Sequence, residues 1–291
     1  MPITPGELKG KVAVVVGASR GIGKAYALAL GQAGATVVAV ARSAKDTSRE
    51  ALHQPKAWGK AYGARQVEGL LPGSLEETVA EVQKAGGQAT PVRCDIAKED
   101  EVEAMARVVL RQHGHVDIVV NNAAVYPRYG NWLDITTSGW DASMDVNVRG
   151  PFLILRALAP SMIARKSGSI INITTGGSAP VPMTRTISRG LLLYVVSKAA
   201  LDRMTYFLAD ELAPHNIAVN LLSPGTIVTE GMRDAAPPGY PWENDPEGFK
   251  WEQATPEYLG PALIHLAKQS AATLTRQSLR TDQFGQTWGK G

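Results

Sequence analysis

A short apolar run that ends in a glycine-rich turn is the feature that most constrains the fold of this chain. Residues 12–16 read Val-Ala-Val-Val-Val, and a helix-favouring stretch runs from residue 22 to residue 32. Such a run is typical of a strand buried on both faces of a sheet. Between this strand and the helix, Gly17 permits a tight turn, Gly21 lets the backbone approach a pyrophosphate, and Gly23 lets helix and strand pack closely.

A strand before the glycines and a helix after them predict a dinucleotide-binding turn. With 29 glycines in the chain, a chance triplet is the alternative. The unpaired amides and the positive dipole end of the helix would face the phosphates. The cofactor-binding residues predicted here are Gly17, Ser19, Arg20, Gly21 and Ile22.

Strands and helices alternate along the rest of the chain. Further strands are predicted at 37–40, 88–93, 116–120, 169–174, 217–222 and 277–281, and helices at 75–82, 102–109, 140–164, 193–212 and 256–269. The predicted fold class is α/β: a single doubly wound Rossmann-type domain over residues 1–291, with a parallel seven-stranded sheet flanked by helices on both faces. Residues 43–72 and 176–190 are predicted insertions at the carboxyl ends of strands, where ligands bind in such sheets.

Composition excludes several classes of partner. The net charge is +3 and no block of Lys and Arg occurs, so nothing predicts a nucleic-acid partner. Cys94 is the single cysteine, which rules out an intramolecular disulfide, and five dispersed histidines predict no metal site. The N-terminus does not read as a signal peptide and no stretch reaches eighteen apolar residues, so we expect a cytoplasmic protein without a membrane partner.

Tyr194 and Lys198 stand one helical turn apart, which places a phenol and an ammonium on one helix face. A free tyrosine has a pKa of about 10, and a nearby ammonium favours the phenolate. We therefore expect Lys198 to lower the pKa of Tyr194, so that this phenol exchanges a proton with an alcohol or a carbonyl oxygen. Such a pair also occurs by chance in many helices.

Together these motifs resemble one family, the short-chain dehydrogenases/reductases, from about Leu8 to Gln286. The matching pieces come in that family's order: the glycine turn, Asp95, Asn121-Asn122-Ala123-Ala124, Asn147, Tyr194 with Lys198, and Pro224-Gly225 followed by Thr229. The resemblance implies hydride transfer between a nicotinamide cofactor and a carbonyl or alcohol, with Tyr194 as the acid/base. The long segment after the second strand looks more like the hydroxysteroid-dehydrogenase-like branch than like compact members.

The resemblance also implies roles for single residues. Asp95 and Ile96 would border the adenine, although Asp95 could equally cap a helix. Asn121 would tie the central strands, the backbone of Asn147 would hold a water that links Lys198 to solvent, and Lys198 would also bind the nicotinamide ribose. The remaining cofactor-binding residues implied are Asn122, Ala123, Tyr194, Pro224, Gly225, Ile227 and Thr229.

Two positions depart from the family pattern. Thr175 stands where the family has its substrate-orienting serine, and Ser178 is the alternative. Threonine keeps the hydroxyl, but its methyl group restricts the side chain. Arg276 stands where the family usually has glycine. The predicted catalytic residues are Tyr194, Lys198, Thr175 and Asn147.

The end of the second strand bears on the choice of dinucleotide. Residues 40–43 contain no acid to hold the ribose hydroxyls of NAD, whereas Arg42 and Arg20 could bind a 2′-phosphate. We therefore predict NADP(H), with NAD(H) as the less favoured alternative. The alternative is that both arginines are solvated surface residues with no role in cofactor binding.

The segment 228–254 is rich in proline and aromatic residues and is predicted to form a substrate lid. Such a lid suits a bulky apolar or aromatic carbonyl or secondary alcohol. The resemblance implies a homodimer or a homotetramer built through the helices of Asn147 and Tyr194. The alternative function is a catalytically weak NADP(H)-binding sensor or scaffold, suggested by Thr175 and the insertions.

Overall fold

The computed structural model describes residues 2–43, 73–126, 131–176, 190–229, 244 and 252–290. The strands are β1 Val12–Val16, β2 Thr36–Ala41, β3 Gln88–Arg93, β4 Ile118–Asn121, β5 Gly168–Ile173, β6 Ile217–Ser223, β7 Ile227–Val228, β8 Glu252–Gln253 and β9 Ser278–Arg280. The helices are α1 Gly21–Gln32, α2 Leu75–Lys84, α3 Glu99–His113, α4 Thr137–Met144, α5 Gly150–Arg165, α6 Leu192–Leu212 and α7 Pro256–Ala267.

Seven of these strands form one parallel sheet in the order β3-β2-β1-β4-β5-β6-β9. This confirms the predicted α/β class and the doubly wound sheet. The order reverses between β1 and β4, so a crevice forms where the chain leaves these two strands in opposite directions.

Strand β1 explains how the sheet holds two cores. All five of its residues are buried. Ala13 and Val15 belong to the core beneath α1, α2 and α7, whereas Val12, Val14 and Val16 belong to the core beneath α3, α5 and α6. Successive side chains of a strand point to opposite faces, so a strand covered by helices on both sides must be apolar throughout.

The helix predicted over 140–164 is present, but it is not α-helical throughout. Helices α4 and α5 are joined without interruption by a π-helical turn at Asp145–Arg149. Such turns insert one residue into the helical ladder and occur frequently at functional sites. Asn147 lies in this turn.

The inserted segments start and end at the carboxyl edge of the sheet. The amide of Leu75 donates to the carbonyl of Ser43 at 3.1 Å, which brings together the two sides of the segment 44–72. Similarly, β7 pairs with β8, which joins the two sides of the predicted lid. The lid residues 230–243 and 245–251, the segment 177–189 and the insertion 44–72 lie outside the described residues. None of the described helices is long and apolar enough to cross a membrane.

Candidate active site

Helix α6 carries the predicted tyrosine and lysine to the carboxyl end of β5. Tyr194 is half-buried in its first turn, and Lys198 is 2% exposed. The Lys198 Nζ lies 6.0 Å from the centroid of the Tyr194 ring and donates to the carbonyl oxygen of Ile173 at 2.7 Å. The structure therefore brings the two side chains together on one helix face, against the last residue of β5.

Asn147 connects this helix to the loop after β4. Its side chain is fully buried, and its Nδ2 donates to the hydroxyl of Ser197 at 2.9 Å and to the carbonyl of Val125 at 3.0 Å. Its Oδ1 accepts from the Val125 amide at 2.8 Å. Ser197 in turn donates to the carbonyl of Tyr194 at 2.8 Å. All bonding groups of the Asn147 amide are thus used to fix the loop and the first turn of α6 relative to each other.

The structure reverses the expected direction of the Tyr194 pKa. Burial raises the pKa of Tyr194, and the nearby Tyr126 and Asp202 raise it further. Burial lowers the pKa of Lys198 to about 8, while Asp202 acts in the opposite direction. The expected lowering of the Tyr194 pKa is therefore not found in this structure, because loss of hydration sets the direction and Tyr126 and Asp202 add to it.

Thr175 follows β5 and is half-buried, so its hydroxyl group is at the same edge as Tyr194. The preceding Thr174 is buried and donates its hydroxyl to Asp202 at 2.5 Å. Ser178, the alternative for the serine role, lies outside the described residues. Thr175 therefore remains the described candidate for the serine role, two residues beyond the end of β5.

The glycine turn leaves no room for side chains. A Cβ on Gly17 would lie 2.7 Å from the Cα of Ala123, and one on Gly23 would lie 2.1 Å from the carbonyl oxygen of Gly17. Asn122 closes the same turn by donating to Gly17 O at 3.2 Å. Gly17 also has a φ of 81°, a conformation that favours glycine. The close backbone approach expected from the sequence is present.

The start of α1 fits an anion. Arg20 is the N-cap residue, and its side chain makes no capping hydrogen bond to the first turn. No acidic residue lies in that turn. Unsatisfied amides at a helix start attract phosphate groups. These features, with the missing space at Gly17 and Gly23, fit the pyrophosphate of a dinucleotide. Ser19 is buried in this turn, and Ile22 is half-buried.

The residues predicted to border the adenosine lie at the ends of β2 and β3. Arg42 is exposed just after β2. Asp95 accepts from the Ala97 amide at 3.2 Å, and its own amide donates to Glu101 at 2.9 Å. Asp95 does not cap α3, whose N-cap is Lys98, so that alternative role was wrong. Ile96 is 5% exposed and packs beside Gly150.

The turn after β6 carries the residues expected to meet the nicotinamide. Pro224 is buried, and Gly225 has a φ of 91°. Ile227 is buried in β7, and Thr229 follows it half-buried. These residues sit at the same carboxyl edge as the glycine turn, because β1, β4, β5 and β6 are parallel neighbours.

Asn121 ties the central strands as the resemblance implied. Its Nδ2 donates to Asn172 Oδ1 on β5 at 2.8 Å, and Asn172 donates to Thr205 on α6 at 2.8 Å. A chain of buried polar groups therefore joins β4, β5 and α6 beneath the site. Among the described residues, no three His, Cys, Asp or Glu side chains lie together as a metal site would require.

Sequence reasoning missed two side chains of this site. Tyr126 stands edge-on to Tyr194, with ring centroids 4.5 Å apart and an interplanar angle of 69°. Asp202 lies one turn beyond Lys198 and is 8% exposed. The four-residue spacing from Lys198 could have indicated Asp202. No local pattern indicates Tyr126, whose position depends on the loop held by Asn147.

Comparison with known proteins agrees with this geometry. The parallel doubly wound sheet defines a Rossmann-type fold. A family model described as Enoyl-(Acyl carrier protein) reductase matches residues 59–283, and one described as short chain dehydrogenase matches residues 11–68. The chain belongs to the short-chain dehydrogenase/reductase family, and it is an oxidoreductase of that family with a nicotinamide cofactor.

Two curated relatives illustrate the degree of similarity. The dehydrogenase/reductase SDR family member 4 of Homo sapiens is 34% identical over 227 residues, which cover 78% of this chain and 69% of that protein. The 2-dehydro-3-deoxy-D-gluconate 5-dehydrogenase of Formosa agariphila is 28% identical over 270 residues, covering 91% of this chain and 88% of that protein.

Solved structures share the fold over nearly the whole chain. A metagenomic short-chain oxidoreductase in complex with NADP is 31% identical, with a TM-score of 0.69 and coverage of 94% of this chain and 98% of that one. A short-chain type dehydrogenase/reductase from Mycobacterium marinum is 30% identical, with a TM-score of 0.72 and coverage of 94% of both chains. The hydroxysteroid-dehydrogenase-like branch stays a prediction.

Proposed function

We propose that this protein transfers a hydride between NADP(H) and a carbonyl or secondary alcohol, with Tyr194 as the proton donor and acceptor. The observation that carries the proposal is the group of Tyr194, Lys198 and Asn147 at the carboxyl edge that also holds the glycine turn. When bound, the nicotinamide supplies or accepts the hydride. The chain's own residues hold the substrate oxygen and move its proton.

The proton moves with the hydride in either direction of the reaction. The phenol of Tyr194 is protonated at neutral pH. In carbonyl reduction the substrate carbon gains a hydride, and its oxygen takes the phenol proton from Tyr194. The half-buried Thr175 would donate to the same oxygen, and Lys198 would stabilise the tyrosinate that forms. In alcohol oxidation the tyrosinate would take the hydroxyl proton back.

The tyrosine substitution tests this assignment. Tyr194→Phe removes the proton and keeps the ring that contacts Tyr126, so kcat should fall by about 10²–10⁴-fold while the Kd for NADPH changes little. Tyr206→Phe on the same helix is the matched control and should keep full turnover. A Tyr194→Phe variant that turns over like the wild type would contradict the assignment.

The preference for NADP(H) over NAD(H) is part of the proposal. Arg42 stands exposed after β2, residues 40–43 contain no acid, and Arg20 occupies the N-cap position of α1. A bidentate guanidinium suits a 2′-phosphate, which an acid would repel. Among similar structures, a gluconate 5-dehydrogenase from Beutenbergia cavernae described as putative and NAD(P)-dependent has bound NADP at 26% identity and a TM-score of 0.70.

Titration of the two cofactors separates the alternatives. Wild-type protein should bind NADPH at least tenfold more tightly than NADH, and Arg42→Ala should reduce that ratio toward one. Arg107→Ala removes an equal charge from exposed α3 and should leave the ratio unchanged. Equal affinities in the wild type would favour NAD(H) as well as NADP(H) and remove the case for Arg42.

A bulky apolar or aromatic substrate is proposed from the wall of the site. Tyr126 contacts Tyr194, and Trp132 and Leu133, which follow Tyr126 in the chain by six and seven positions, are 66% and 70% exposed. Aromatic walls favour apolar ligands. A panel of aromatic ketones, sugar acids and enoyl thioesters distinguishes this class from those named by the relative and the family model. Higher kcat/KM on the sugar acids or thioesters would reject the apolar class.

A catalytically weak NADP(H)-binding sensor or scaffold is the second candidate. Thr175 at the serine position and the raised pKa of Tyr194 favour it. It requires tight NADPH binding without oxidation of the cofactor across the whole panel. Turnover that depends on Tyr194 would reject it.

Assembly as a homodimer or homotetramer is proposed from the surfaces of α5 and α6. Phe152 on α5 and Phe207 on α6 are 43% and 63% exposed, and Val196 lies on the same outer face of α6 as Phe207. Exposed apolar side chains on two neighbouring helices suit a contact between copies. Light scattering should give a dimer or tetramer for the wild type and a smaller species for Phe207→Glu. An unchanged mass in the variant would place the contact elsewhere.

A further inference from the structure

A buried carboxylate lies next to the proposed catalytic lysine. Asp202 follows Lys198 by one helical turn on α6, and only 8% of Asp202 is exposed. Residues four apart share a helix face, so the carboxylate and the ammonium lie on the same side of α6. Burial of a charge is unfavourable unless the charge is paired or hydrogen-bonded. The retention of an acid here therefore points to a partner in the site.

The first partner is Thr174 at the end of β5. Its hydroxyl donates to Asp202 Oδ1 at 2.5 Å, and Thr174 itself is 4% exposed. Thr174 directly precedes Thr175, the proposed substrate-orienting residue. A hydrogen bond from Thr174 to α6 therefore fixes the distance between Thr175 and the helix that carries Tyr194.

The second partner is Lys198. In the part of the chain that the structure describes, the group from a neighbouring element that bonds to its Nζ is neutral, the carbonyl of Ile173 from β5. On α6 itself the titratable neighbours are Tyr194 and Asp202, and Tyr126 faces Tyr194 from the loop after β4. Among the described residues, Asp202 is the acid that acts on both members of the pair.

We propose that Asp202 is a positioning residue for the proposed reaction: its carboxylate holds Thr174 and Thr175 against α6 and supplies a counter-charge to Lys198. This inference rests on the proposed function of Tyr194 and Lys198. Asp202 is not one of the four predicted catalytic residues, Tyr194, Lys198, Thr175 and Asn147.

The electrostatic consequence has a definite sign. Asp202 opposes the lowering of the Lys198 pKa by burial and contributes to the raised pKa of Tyr194. Removing one negative charge makes the loss of each proton from the Tyr194–Lys198 pair easier. Both apparent pKa values of the pair must then fall, whichever residue titrates first.

Asp202→Asn tests the charge, because asparagine keeps the size and an oxygen that accepts from Thr174. The rise of alcohol oxidation with pH should move down by on the order of one pH unit. Asp210→Asn on the same helix removes an equal charge that is 60% exposed and paired with Arg276, and its profile should match the wild type. A Asp202→Asn variant that folds and keeps the wild-type profile would overturn the electrostatic role.

Thr174→Val tests the hydrogen bond, because valine removes the hydroxyl and leaves the charge of Asp202 in place. We expect kcat to fall by about tenfold without a shift of the pH profile, and Thr174→Ser to restore it. Wild-type kcat in Thr174→Val would overturn the positioning role. A pH-profile shift in Thr174→Val as large as that in Asp202→Asn would mean that both variants act by displacing the surrounding structure. That result would also overturn the proposal.

One measurement does not depend on turnover. Lysine labelled with ¹³C at Cε can be titrated by NMR, with the Lys198 signal identified by its loss in Lys198→Met. Its midpoint should fall in Asp202→Asn and stay in place in Asp210→Asn. Absence of any carbonyl turnover by the wild type would reject the proposed function, whereas an unmoved Lys198 midpoint would reject the role of Asp202.

Discussion

The two edges of the central sheet each bury a charge, but they treat it differently. At the amino edge, Asp117 is 4% exposed and accepts from the Val12 amide at 2.9 Å and from Arg165 at 3.0 Å. His115 and Lys11 lie 3.1 and 3.5 Å from the same carboxylate. At the carboxyl edge, Lys198 is 2% exposed and, among the described residues, donates to one backbone carbonyl, that of Ile173.

The pKa directions express this contrast. Burial alone would raise the pKa of Asp117, but the Val12 amide, Arg165 and Lys11 hold it below its ordinary value. Burial lowers the pKa of Lys198 to about 8, and Asp202 offsets only part of the effect. The amino edge therefore stabilises its charge, whereas the carboxyl edge keeps a charge that the fold disfavours. A destabilised charge that titrates near neutral pH is typical of reactive sites.

Replacement of Lys198, the disfavoured charge at the carboxyl edge, should have the largest effects on activity and stability. Lys198→Met keeps the volume and removes the charge, so kcat should fall by about 100-fold or more. The same variant should be more stable than the wild type at pH 7, by about 1–3 kcal/mol, because an undercompensated buried charge is lost. Urea unfolding and steady-state kinetics on one preparation measure both effects.

The stability gain of Lys198→Met over the wild type should decrease as the pH rises. Folded Lys198 holds its proton less tightly than the unfolded chain does, since its pKa falls from 10.5 to about 8. Stability of the wild type therefore rises between pH 8 and 10.5, and the advantage of the variant shrinks there. Exposed Lys84→Met is the control, with no change expected in either measurement. A Lys198→Met protein that is less stable than the wild type at pH 7 would contradict the claim that the fold disfavours the charge of Lys198.

Replacement of Asp117 at the amino edge should have the opposite effects to replacement of Lys198: it should lower stability and leave activity unchanged. Asp117→Ala leaves Arg165 and the Val12 amide without their acceptor, so the free energy of unfolding should fall by about 2–3 kcal/mol. Activity per folded molecule should remain at the wild-type level. Asp210→Ala removes an exposed partner of Arg276 and should cost less than about 0.5 kcal/mol. A selective loss of kcat in Asp117→Ala would contradict a purely stabilising role.

The contribution of Asp117 should disappear in acid. Its folded pKa is lowered, so its stabilising effect is complete above the ordinary aspartate value of about 3.9 and is lost as pH falls through the folded pKa. The difference in unfolding free energy between the wild type and Asp117→Asn should accordingly shrink below about pH 4. A difference that is unchanged down to pH 2 would remove the ionic explanation.

The smallest effect is expected at Tyr126. Its edge-on contact with Tyr194 has the geometry of aromatic pairs that contribute about 0.5–1.5 kcal/mol. Tyr126→Leu should therefore reduce kcat/KM by about three- to tenfold, with Tyr206→Leu as an aromatic control on α6. Unchanged kcat/KM would mean that Tyr194 is held by its own helix alone.

Much of this protein could be read from short stretches of sequence. The apolar run 12–16 and the glycines after it predicted β1, the turn and α1, because strand burial and glycine geometry depend on neighbouring residues. Tyr194 and Lys198 were placed on one face because their spacing equals one helical turn. The parallel order of the sheet followed from the alternation of strands with helices.

Contacts between distant segments decided the rest. The π-helical turn at Asp145–Arg149 is stabilised by Asn147 bonding to Val125 and Ser197, residues that lie 22 and 50 positions away. The Thr174–Asp202 hydrogen bond joins a strand to a helix across 28 positions. Periodicity and spacing therefore determined the elements and the identity of the reactive pair. Only the packed structure decided how far each group is removed from water and which partners surround it. Burial sets the sign of the pKa shifts of Tyr194 and Lys198, whereas the Val12 amide, Arg165 and Lys11 set that of Asp117 against its burial.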